Sequence, residues 1–203
     1  MIFINTLMHQ KFILASTSKS RYKILKNAGL NFSQKKPNCN EEKIKREISR
    51  NVKPEIFAKK LSYEKAISVS RKKKYNNKIV LGCDTIIYHN GKILDKVNSI
   101  EKAKKKIRSL SGKTHLIVSG LTICLSGSKI WENHEITRVK IRNLNNSEID
   151  GYLKKTGTQI LSSVGCYQIE SLGPSIIEKI KGDYFNVMGL PLFNLLDYLY
   201  SKK

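Results

Sequence analysis

The stretch Ile79-Val80-Leu81-Gly82-Cys83-Asp84-Thr85, continued by Ile86, Ile87 and Tyr88, decides how this chain can fold. A short run of Ile, Val and Leu predicts a strand inside a sheet. One carboxylate, Asp84, lies in the middle of that run. A charge on a buried strand has to be paired, metal-bound or directed into a cleft, because burying it alone is too costly. Asp84 is therefore the first residue to consider for chemistry.

The composition predicts one globular unit. The chain has 203 residues, of which 40% are hydrophobic and 27% charged, which is enough for one sizeable core. We expect residues 1–10 to be an N-terminal tail or start-site extension and residues 11–203 to be a single domain. No run approaches the roughly 18 apolar residues of a membrane span, and the start lacks a signal-peptide pattern. We therefore expect a cytoplasmic protein without a membrane partner.

The net charge of +22 raises the question of nucleic acid. The lysines are scattered along the chain, which favours a solvated basic surface around a site for an anionic substrate. This scatter makes a polynucleotide partner the less favoured alternative, which the net charge does not exclude. The four cysteines, Cys39, Cys83, Cys124 and Cys166, have no C-x-x-C spacing, so neither zinc nor disulfides are implied.

A phosphate cradle is predicted near the start of the chain. A strand over residues 11–15 runs into Ser16-Thr17-Ser18-Lys19-Ser20-Arg21, and a helix follows up to Gly29. Free backbone N–H groups, hydroxyls and a first-turn arginine together favour an anion such as phosphate. The alternative is that Ser16 or Ser18 is only a helix N-cap.

Two lysines stand out from the solvated majority. Pro54 opens a helix to about Tyr75, in which Leu61, Lys65 and Val69 share one face. Lys65 therefore either snorkels out of an apolar stripe or has a buried partner. Asn90-Gly91 predicts a hairpin that returns beside the Asp84 strand and brings Lys96 next to it, where it suits a phosphate.

The remaining elements are predicted from periodicity and turn residues. They are a strand near residues 31–35, an irregular polar segment over 36–53 that holds Glu41, a helix from Ser99 to Leu110, a hairpin of strands 116–125 and 129–141, a helix capped by Ser147 and ending at Lys155, a strand over 164–170, a glycine-punctuated loop over 181–192 and a terminal helix. His115 and His134 have no partner at catalytic spacing, so we expect them to be structural.

Four separated segments resemble one family. They are Leu14-Ala15-Ser16-Thr17-Ser18 with Arg21, then Cys83-Asp84-Thr85, then Leu110-Ser111-Gly112-Lys113-Thr114-His115, and Gly182-Asp183-Tyr184-Phe185-Asn186-Val187 with Gly189-Leu190-Pro191-Leu192. In order and spacing, from about Phe12 to the C-terminus, the chain resembles the Maf (septum-formation-inhibitor-like) nucleotide pyrophosphatases.

This resemblance implies an activity and a fold. Members hydrolyse nucleoside triphosphates to the monophosphate and pyrophosphate with a divalent metal, and they are commonly homodimers. The implied fold is α/β, with an elongated mixed central sheet flanked by helices, similar to inosine triphosphate pyrophosphatase, and two lobes around a cleft. Mg²⁺ or Mn²⁺ would suit carboxylates and phosphates.

The resemblance also implies roles for individual residues. These are catalysis for Asp84, Lys65 and Lys96, phosphate binding for Ser16, Ser18 and Arg21, metal binding for Asp84 and Glu41, and substrate specificity for Ser20, Thr85 and Glu170. Ser20 replaces a family arginine. Glu170 replaces the glutamine of members that act on dTTP and UTP, and an ionised glutamate complements the N1–H and N2–H donors of guanine. It would also favour 7-methylguanine, unless Glu170 points away from the base.

A second hypothesis uses the same fold without turnover. In it the chain is a nucleotide- or nucleic-acid-binding regulator of cell division. The complete set of Asp84, Lys65 and Lys96 favours the enzyme, and the arginine replaced at Ser20 favours the regulator.

Overall fold

The computed structural model describes residues 11–47 and 52–201, so the predicted tail at residues 1–10 lies outside it. Seven strands and seven α-helices follow one another along these residues. They are β1 (Phe12–Ala15), α1 (Lys19–Asn27), β2 (Phe32–Lys35), α2 (Glu41–Glu47), α3 (Pro54–Ser70), β3 (Ile79–His89), β4 (Lys92–Leu94), α4 (Ile100–Leu110), β5 (Thr114–Leu125), β6 (Ser128–Ile141), α5 (Asn146–Thr156), β7 (Ile177–Lys181), α6 (Tyr184–Val187) and α7 (Leu192–Ser201).

One mixed sheet contains all seven strands. Its order is β2-β1-β3-β5-β6-β7, and β4 pairs with β3. β1 pairs in parallel with both β2 and β3, whereas the β3–β4 and β6–β7 pairs are antiparallel. The mixed α/β fold that the sequence predicts, with a central sheet flanked by helices, is confirmed.

The chain forms two compact units. The first contains the described residues up to Thr85, together with Ser119–Glu135 and the segment from Gly189 onwards. The second contains Ile86–Val118 and Ile136–Met188. Strands β3, β5 and β6 each contribute residues to both units.

The first unit depends on the close packing of α3 against the sheet. A Cβ atom added at Gly82 of β3 would lie 2.1 Å from the carbonyl oxygen of Ser62, and one added at Gly120 of β5 would lie 2.3 Å from that of Ala58. A buried hydrogen bond of 2.7 Å joins the hydroxyls of Ser62 and Thr122 across the same contact. The backbone of α3 can approach the sheet this closely only because Gly82 and Gly120 lack side chains.

The second unit has its own apolar core. Its buried members include Ala103, Ile107 and Leu110 of α4, Val139 and Ile141 of β6, and Ile149, Tyr152 and Leu153 of α5. The apolar stripe of α4 faces this core, and Ser99, the predicted start of the helix, caps it by accepting from the backbone N–H of Lys102.

Several boundaries differ from the prediction for identifiable reasons. The segment predicted as irregular contains α2, which Asn40 begins by accepting from the N–H of Lys43; its one buried apolar residue, Ile44, gives no periodicity. α3 ends at Ser70 and a short 3₁₀ turn follows at Lys73–Tyr75. The cap of α5 is Asn145, not Ser147, because Asn145 and Glu148 form a reciprocal capping box.

The predicted strand over residues 164–170 is wrong. This segment consists of turns, and Cys166 has a φ of +57°. Three consecutive residues, Gly165, Cys166 and Tyr167, are buried, whereas a half-buried strand would alternate. The strand of this region is β7, which the sequence analysis did not assign, and the loop predicted over 181–192 contains the short helix α6.

The described residues include no helix that is both long enough and apolar enough to cross a membrane.

We predict that the glycines under α3 are required for stability. Gly82→Ala and Gly120→Ala should each lower the free energy of unfolding by about 1–3 kcal/mol, because the new methyl group meets backbone atoms that cannot move aside. Urea denaturation measures this change.

Gly151 provides the matched control, because it lies inside α5 and a Cβ there would meet nothing within 4 Å. Gly151→Ala should leave stability unchanged or raise it by about 0.5–1 kcal/mol. An unchanged urea midpoint in Gly82→Ala would show that α3 packs less closely than described.

Candidate active site

The candidate site lies at β1, where the order in which successive strands join the sheet reverses. From β1 the chain passes to β2 on one side and then to β3 on the other, and ligands bind at such switch points of α/β sheets. Ala15, the last residue of β1, pairs with Gly82 of β3. Ser16 follows the last residue of β1, and Asp84 lies on β3 just beyond the point where its parallel pairing with β1 ends.

Asp84 is paired with Lys65. The Lys65 ammonium donates to Asp84 Oδ1, and it lies 3.0 Å from Glu41 Oε1 at the start of α2. Lys65 and Asp84 are 7% and 6% exposed, whereas the side chain of Glu41 is 45% exposed. One buried cation thus lies between a buried carboxylate and one open to solvent. Lys65 does not snorkel; it has a partner.

The charges around Lys65 determine its ionisation. Burial alone would lower the pKa of Lys65, and the guanidinium of Arg21 adds to that effect. The Asp84 carboxylate, assisted by Glu41, outweighs both, so the pKa of Lys65 is raised above 10.5. Lys65 is therefore a fixed positive charge at neutral pH, which suits phosphate binding and does not suit a general base.

The turn after β1 has the geometry of an anion site. Ser18 is the N-cap of α1 and accepts from the backbone N–H of Arg21 at 3.3 Å. Ser16 Oγ is buried and accepts from the N–H of Ser18 at 3.2 Å. Ser18 is therefore a helix N-cap, which is the alternative that the sequence offered, and the phosphate cradle stays a prediction.

Arg21 ties this turn to two other segments. Its Nε donates to the carbonyl oxygen of Gly189 at 2.8 Å, its Nη1 to Ser16 Oγ at 3.2 Å and its Nη2 to Thr85 Oγ1 at 3.1 Å. The side chain is only 9% exposed. Three of the five guanidinium N–H groups therefore have oxygen acceptors in the protein, and the Cys83 thiol interacts with the guanidinium as well.

Thr85 is the centre of a partly buried hydroxyl network. Its Oγ1 donates to the carbonyl oxygen of Gly189 at 3.1 Å and lies 2.7 Å from Ser119 Oγ on β5. Cys83 donates to the same Gly189 oxygen. The network holds the segment before α7 against β3. It therefore also restricts the movement of Asp84, which lies between Cys83 and Thr85.

The donor set fits a hard divalent cation that shares ligands with a substrate. Glu41 and Asp84 offer carboxylate oxygens on either side of Lys65 Nζ. The described residues contain no group of three or more His, Cys, Asp or Glu that could hold a metal ion alone. Mg²⁺ commonly binds through one or two carboxylates plus phosphate oxygens and water, which is the set available here.

Lys96 and Glu170 belong to the second unit. Lys96 is exposed in the segment that follows β4, and Glu170 is exposed in the turns that replace the predicted strand. Lys106 of α4 joins the two segments, because its ammonium donates to the carbonyl oxygens of Asp95 and Val164. Burial lowers the pKa of Lys106.

A buried pair anchors the segment that carries Glu170. His115 Nε2 lies 2.6 Å from the hydroxyl of Tyr167, and burial lowers the pKa of His115 to about 4. Ser163 Oγ donates to the carbonyl oxygen of Tyr167 at 2.7 Å. His115 is therefore a neutral core residue at physiological pH, as expected from the sequence.

The first unit brings together eight of the ten residues that the resemblance implies. Lys65, Asp84 and Glu41 form one cluster, and Ser16, Ser18, Arg21 and Thr85 form another, with Ser20 half-exposed in the first turn of α1. The sequence analysis missed Ser119 and the Gly189 carbonyl. Ser119 gave the same signal as Asp84, a polar residue in an otherwise buried apolar strand.

Comparison with known proteins gives matches along nearly the whole chain. A family model described as Maf-like protein matches residues 11–202. A nucleoside triphosphate pyrophosphatase of Caulobacter vibrioides is 36% identical over 187 residues, which cover 92% of either chain. A 7-methyl-GTP pyrophosphatase of Brucella abortus is 36% identical over 197 residues, 97% of this chain and 98% of the relative. Another, from Bartonella henselae, is 37% identical over 94% of both chains.

We predict that Asp84 maintains the charge of Lys65. In Asp84→Asn the pKa of Lys65 should fall below its value in the wild type, because the opposition to burial is lost. An NMR titration of the lysine side-chain resonances measures this fall, with Lys65→Arg assigning the signal. Lys60, whose ion pair is with Glu64, is the internal control.

The raised pKa of Lys65 also fixes the sign of the pH dependence. The pair stabilises the folded protein below the pKa of an unfolded lysine, and this contribution is lost as the pH rises through the folded-state value. Wild type should therefore lose stability at alkaline pH more steeply than Asp84→Asn. Equal slopes would contradict the pairing.

Proposed function

Because the chain belongs to the Maf family, we propose that it is a nucleoside triphosphate pyrophosphatase. Water attacks the α-phosphorus of the substrate, and its oxygen forms the new bond. The bond from the α-phosphorus to the bridging oxygen breaks, and pyrophosphate leaves with the electron pair. The products are the nucleoside monophosphate and pyrophosphate.

The observation that carries this proposal is the cation–carboxylate cluster at the switch point. Lys65 and Asp84 are both buried, and Lys65 bonds Asp84 beside the helix N-terminus of α1. A triphosphate brings several negative charges, which need fixed cations and N–H donors. The attacking water needs a carboxylate to orient it or take its proton, and Asp84 is the buried carboxylate of the cluster.

Each residue then has a role that its contacts support. Lys65 stabilises the charge on the phosphates. Ser16 and Ser18, in the turn that precedes α1, bind phosphate oxygens. Arg21 holds this turn against Gly189 and adds positive charge for the phosphates. The family resemblance, and no contact, assigns Lys96 to the phosphates as well.

A divalent cation, Mg²⁺ or Mn²⁺, belongs to this proposal. Asp84 and Glu41 would hold it together with phosphate oxygens. When bound, it would neutralise phosphate charge and lower the pKa of a coordinated water. Lys65 contacts both of these carboxylates. The homodimer that the resemblance implies and the cytoplasmic location expected from the sequence pattern stay predictions.

Guanine nucleotides, including 7-methyl-GTP, are the proposed preferred substrates. Two of the three relatives described above are named 7-methyl-GTP pyrophosphatase. In this chain Glu170 is exposed at a turn anchored by Tyr167. Its carboxylate can only accept hydrogen bonds, and guanine offers two adjacent donors. A positive 7-methylguanine gains an electrostatic attraction as well.

The non-catalytic regulator is not favoured. Relatives that share more than 90% of their length with this chain are named as pyrophosphatases.

We predict that purified protein releases pyrophosphate from nucleoside triphosphates in the presence of Mg²⁺. Asp84→Asn should lower kcat by at least about 100-fold, the usual effect of losing a general base. A coupled pyrophosphate assay over canonical and modified triphosphates measures both.

Asp150→Asn is the control, because Asp150 is an exposed carboxylate of α5 that pairs with Lys104. It should leave the rate unchanged. Folded wild-type protein that releases no pyrophosphate from any of the triphosphates would end the proposal, and so would full activity in Asp84→Asn.

We predict that Glu170→Gln moves the preference towards pyrimidines. The ratio of kcat/KM for GTP or 7-methyl-GTP to that for dTTP or UTP should fall by about tenfold, or 1.4 kcal/mol. Glutamine can donate to a pyrimidine carbonyl, whereas glutamate cannot. Competition between paired substrates measures the ratio.

The matched variant is Glu178→Gln on β7, an exposed glutamate that pairs with Lys140. Its ratio should equal that of wild type. A wild-type preference for dTTP and UTP would contradict the role of Glu170 without touching the proposed reaction.

A further inference from the structure

A second basic feature lies at the far end of α3 from its proline. Ser70, Arg71, Lys72, Lys73, Asn76, Ser126 and Gly127 line a cavity of about 520 Å³. The lining contains three cations, two hydroxyls and one side-chain amide, and no carboxylate. Lys65 and Asp84, which form the candidate active site, are not among the lining residues.

The positive charge of this cavity is not neutralised by the protein. The stretch from Arg71 to Lys78 carries five cations, and no Asp or Glu occurs between Lys65 and Asp84. Among the described residues, none of the three cations in the lining has an ion pair. Adjacent unpaired cations repel each other, so an anion in the cavity would relieve that repulsion.

The cavity wall is held in place by hydrogen bonds. The N–H of Gly127 donates to Ser70 Oγ at 3.0 Å, and the N–H of Asn77 donates to Ser126 Oγ at 3.1 Å. Ser126 Oγ in turn donates to Asn77 Oδ1 at 3.2 Å. These bonds join the end of α3, the residues before β3 and the tight turn between β5 and β6. The cations therefore project from a fixed frame, which lowers the entropy lost on binding.

Two of the residues joined by these hydrogen bonds have backbone conformations that surrounding contacts must maintain. Asn77 and Ser126 have φ values of +58° and +48°, in the left-handed region. Such conformations persist only where surrounding contacts maintain them. The Asn77–Ser126 hydrogen bonds provide that support, so the frame of the cavity is built by specific contacts.

From these observations we propose that this cavity, the Arg71–Lys73 cavity, binds the phosphate groups of a polyanion. A volume of this size accepts a di- or triphosphate. The guanidinium of Arg71 can bind phosphate oxygens with two N–H groups, and the two lysines add point charges. The lining offers no aromatic side chain for a base, so the phosphates alone are recognised.

Free polyphosphate and the backbone of single-stranded nucleic acid share this chemistry. Inorganic tripolyphosphate and a ten-nucleotide strand of deoxythymidine are the two probes. Each is titrated into ¹⁵N-labelled full-length protein at an ionic strength of about 0.15 M, and the backbone amides of Asn76 and Gly127 report on the cavity. The amides of Thr85 and Gly189 report separately on the candidate active site.

We expect the amides of Asn76 and Gly127 to shift and saturate with at least one probe. Tighter binding of tripolyphosphate identifies free polyphosphate, and tighter binding of the oligonucleotide identifies the nucleic-acid backbone. In the triple variant Arg71→Gln/Lys72→Gln/Lys73→Gln, affinity at these amides should fall at least about tenfold, since charge-assisted hydrogen bonds are lost. The response of Thr85 and Gly189 should be unchanged.

The control removes the same number of charges elsewhere. Lys154 and Lys155 lie in the last turn of α5, as cations that complement a helix end, and Lys105 is exposed on α4. The triple variant Lys105→Gln/Lys154→Gln/Lys155→Gln should change affinity at Asn76 and Gly127 by no more than about twofold, because diffuse charge is screened by salt.

Two results would overturn the proposal. One is the absence of saturable shifts at Asn76 and Gly127 with either probe. The other is an equal loss of affinity in both triple variants, which would show only a diffuse effect of net charge. Neither depends on the pyrophosphatase assay. All six substituted residues are exposed, and thermal unfolding confirms that the variants are folded.

Discussion

The buried bond between Lys65 and Asp84 is the constraint on which the first unit depends. Both groups are almost fully removed from water, and a buried charge without a partner is strongly destabilising. The pair therefore requires α3 to lie close to β3, with Lys65 level with Asp84 along the strand. Gly82 makes this possible, since its missing side chain leaves room for the backbone of Ser62 and the methyl group of Ala66. The placement of a charged pair thus explains why a glycine interrupts an apolar strand.

The same constraint prepares the site for an anionic substrate. Lys65 is held charged between Asp84 and Glu41, and the Arg21–Thr85–Gly189 network fixes the segments on either side. Charges fixed before the substrate arrives need no reorganisation during the reaction. Glu41 is the more exposed of the two carboxylates, so it can exchange its contact with Lys65 for another cation at little desolvation cost.

The proposed role of the second unit in base recognition rests on a different arrangement. The segment around Tyr167 is a series of turns whose buried side chains, including the neutral His115, act as an anchor. Glu170 lies at the exposed end of that anchor. A turn can place a carboxylate away from the sheet, whereas a strand would fix it to one face of the pleat. Lys106 adds a direct tie between this segment and the one that carries Lys96.

Much of this protein was readable from local pattern. The strand of Asp84, the helix after Pro54, the hairpin at Asn90-Gly91 and the Ser18 cap all follow from periodicity and from turn or cap chemistry, which act within a few residues. Asp84 and Lys65 could each be recognised as misplaced in an apolar setting. Their family resemblance supplied the expected activity.

Only the tertiary structure decided which partners these residues have. Three features depend on contacts between residues far apart in sequence. They are the pairing of Lys65 with Asp84, the hydrogen bonds from Arg21 to Ser16, Thr85 and Gly189, and the turns around Tyr167. Sequence patterns report how much of a residue is buried, because burial follows the period of helix or strand. They do not report which distant atom satisfies a buried polar group, because that depends on how the elements pack together.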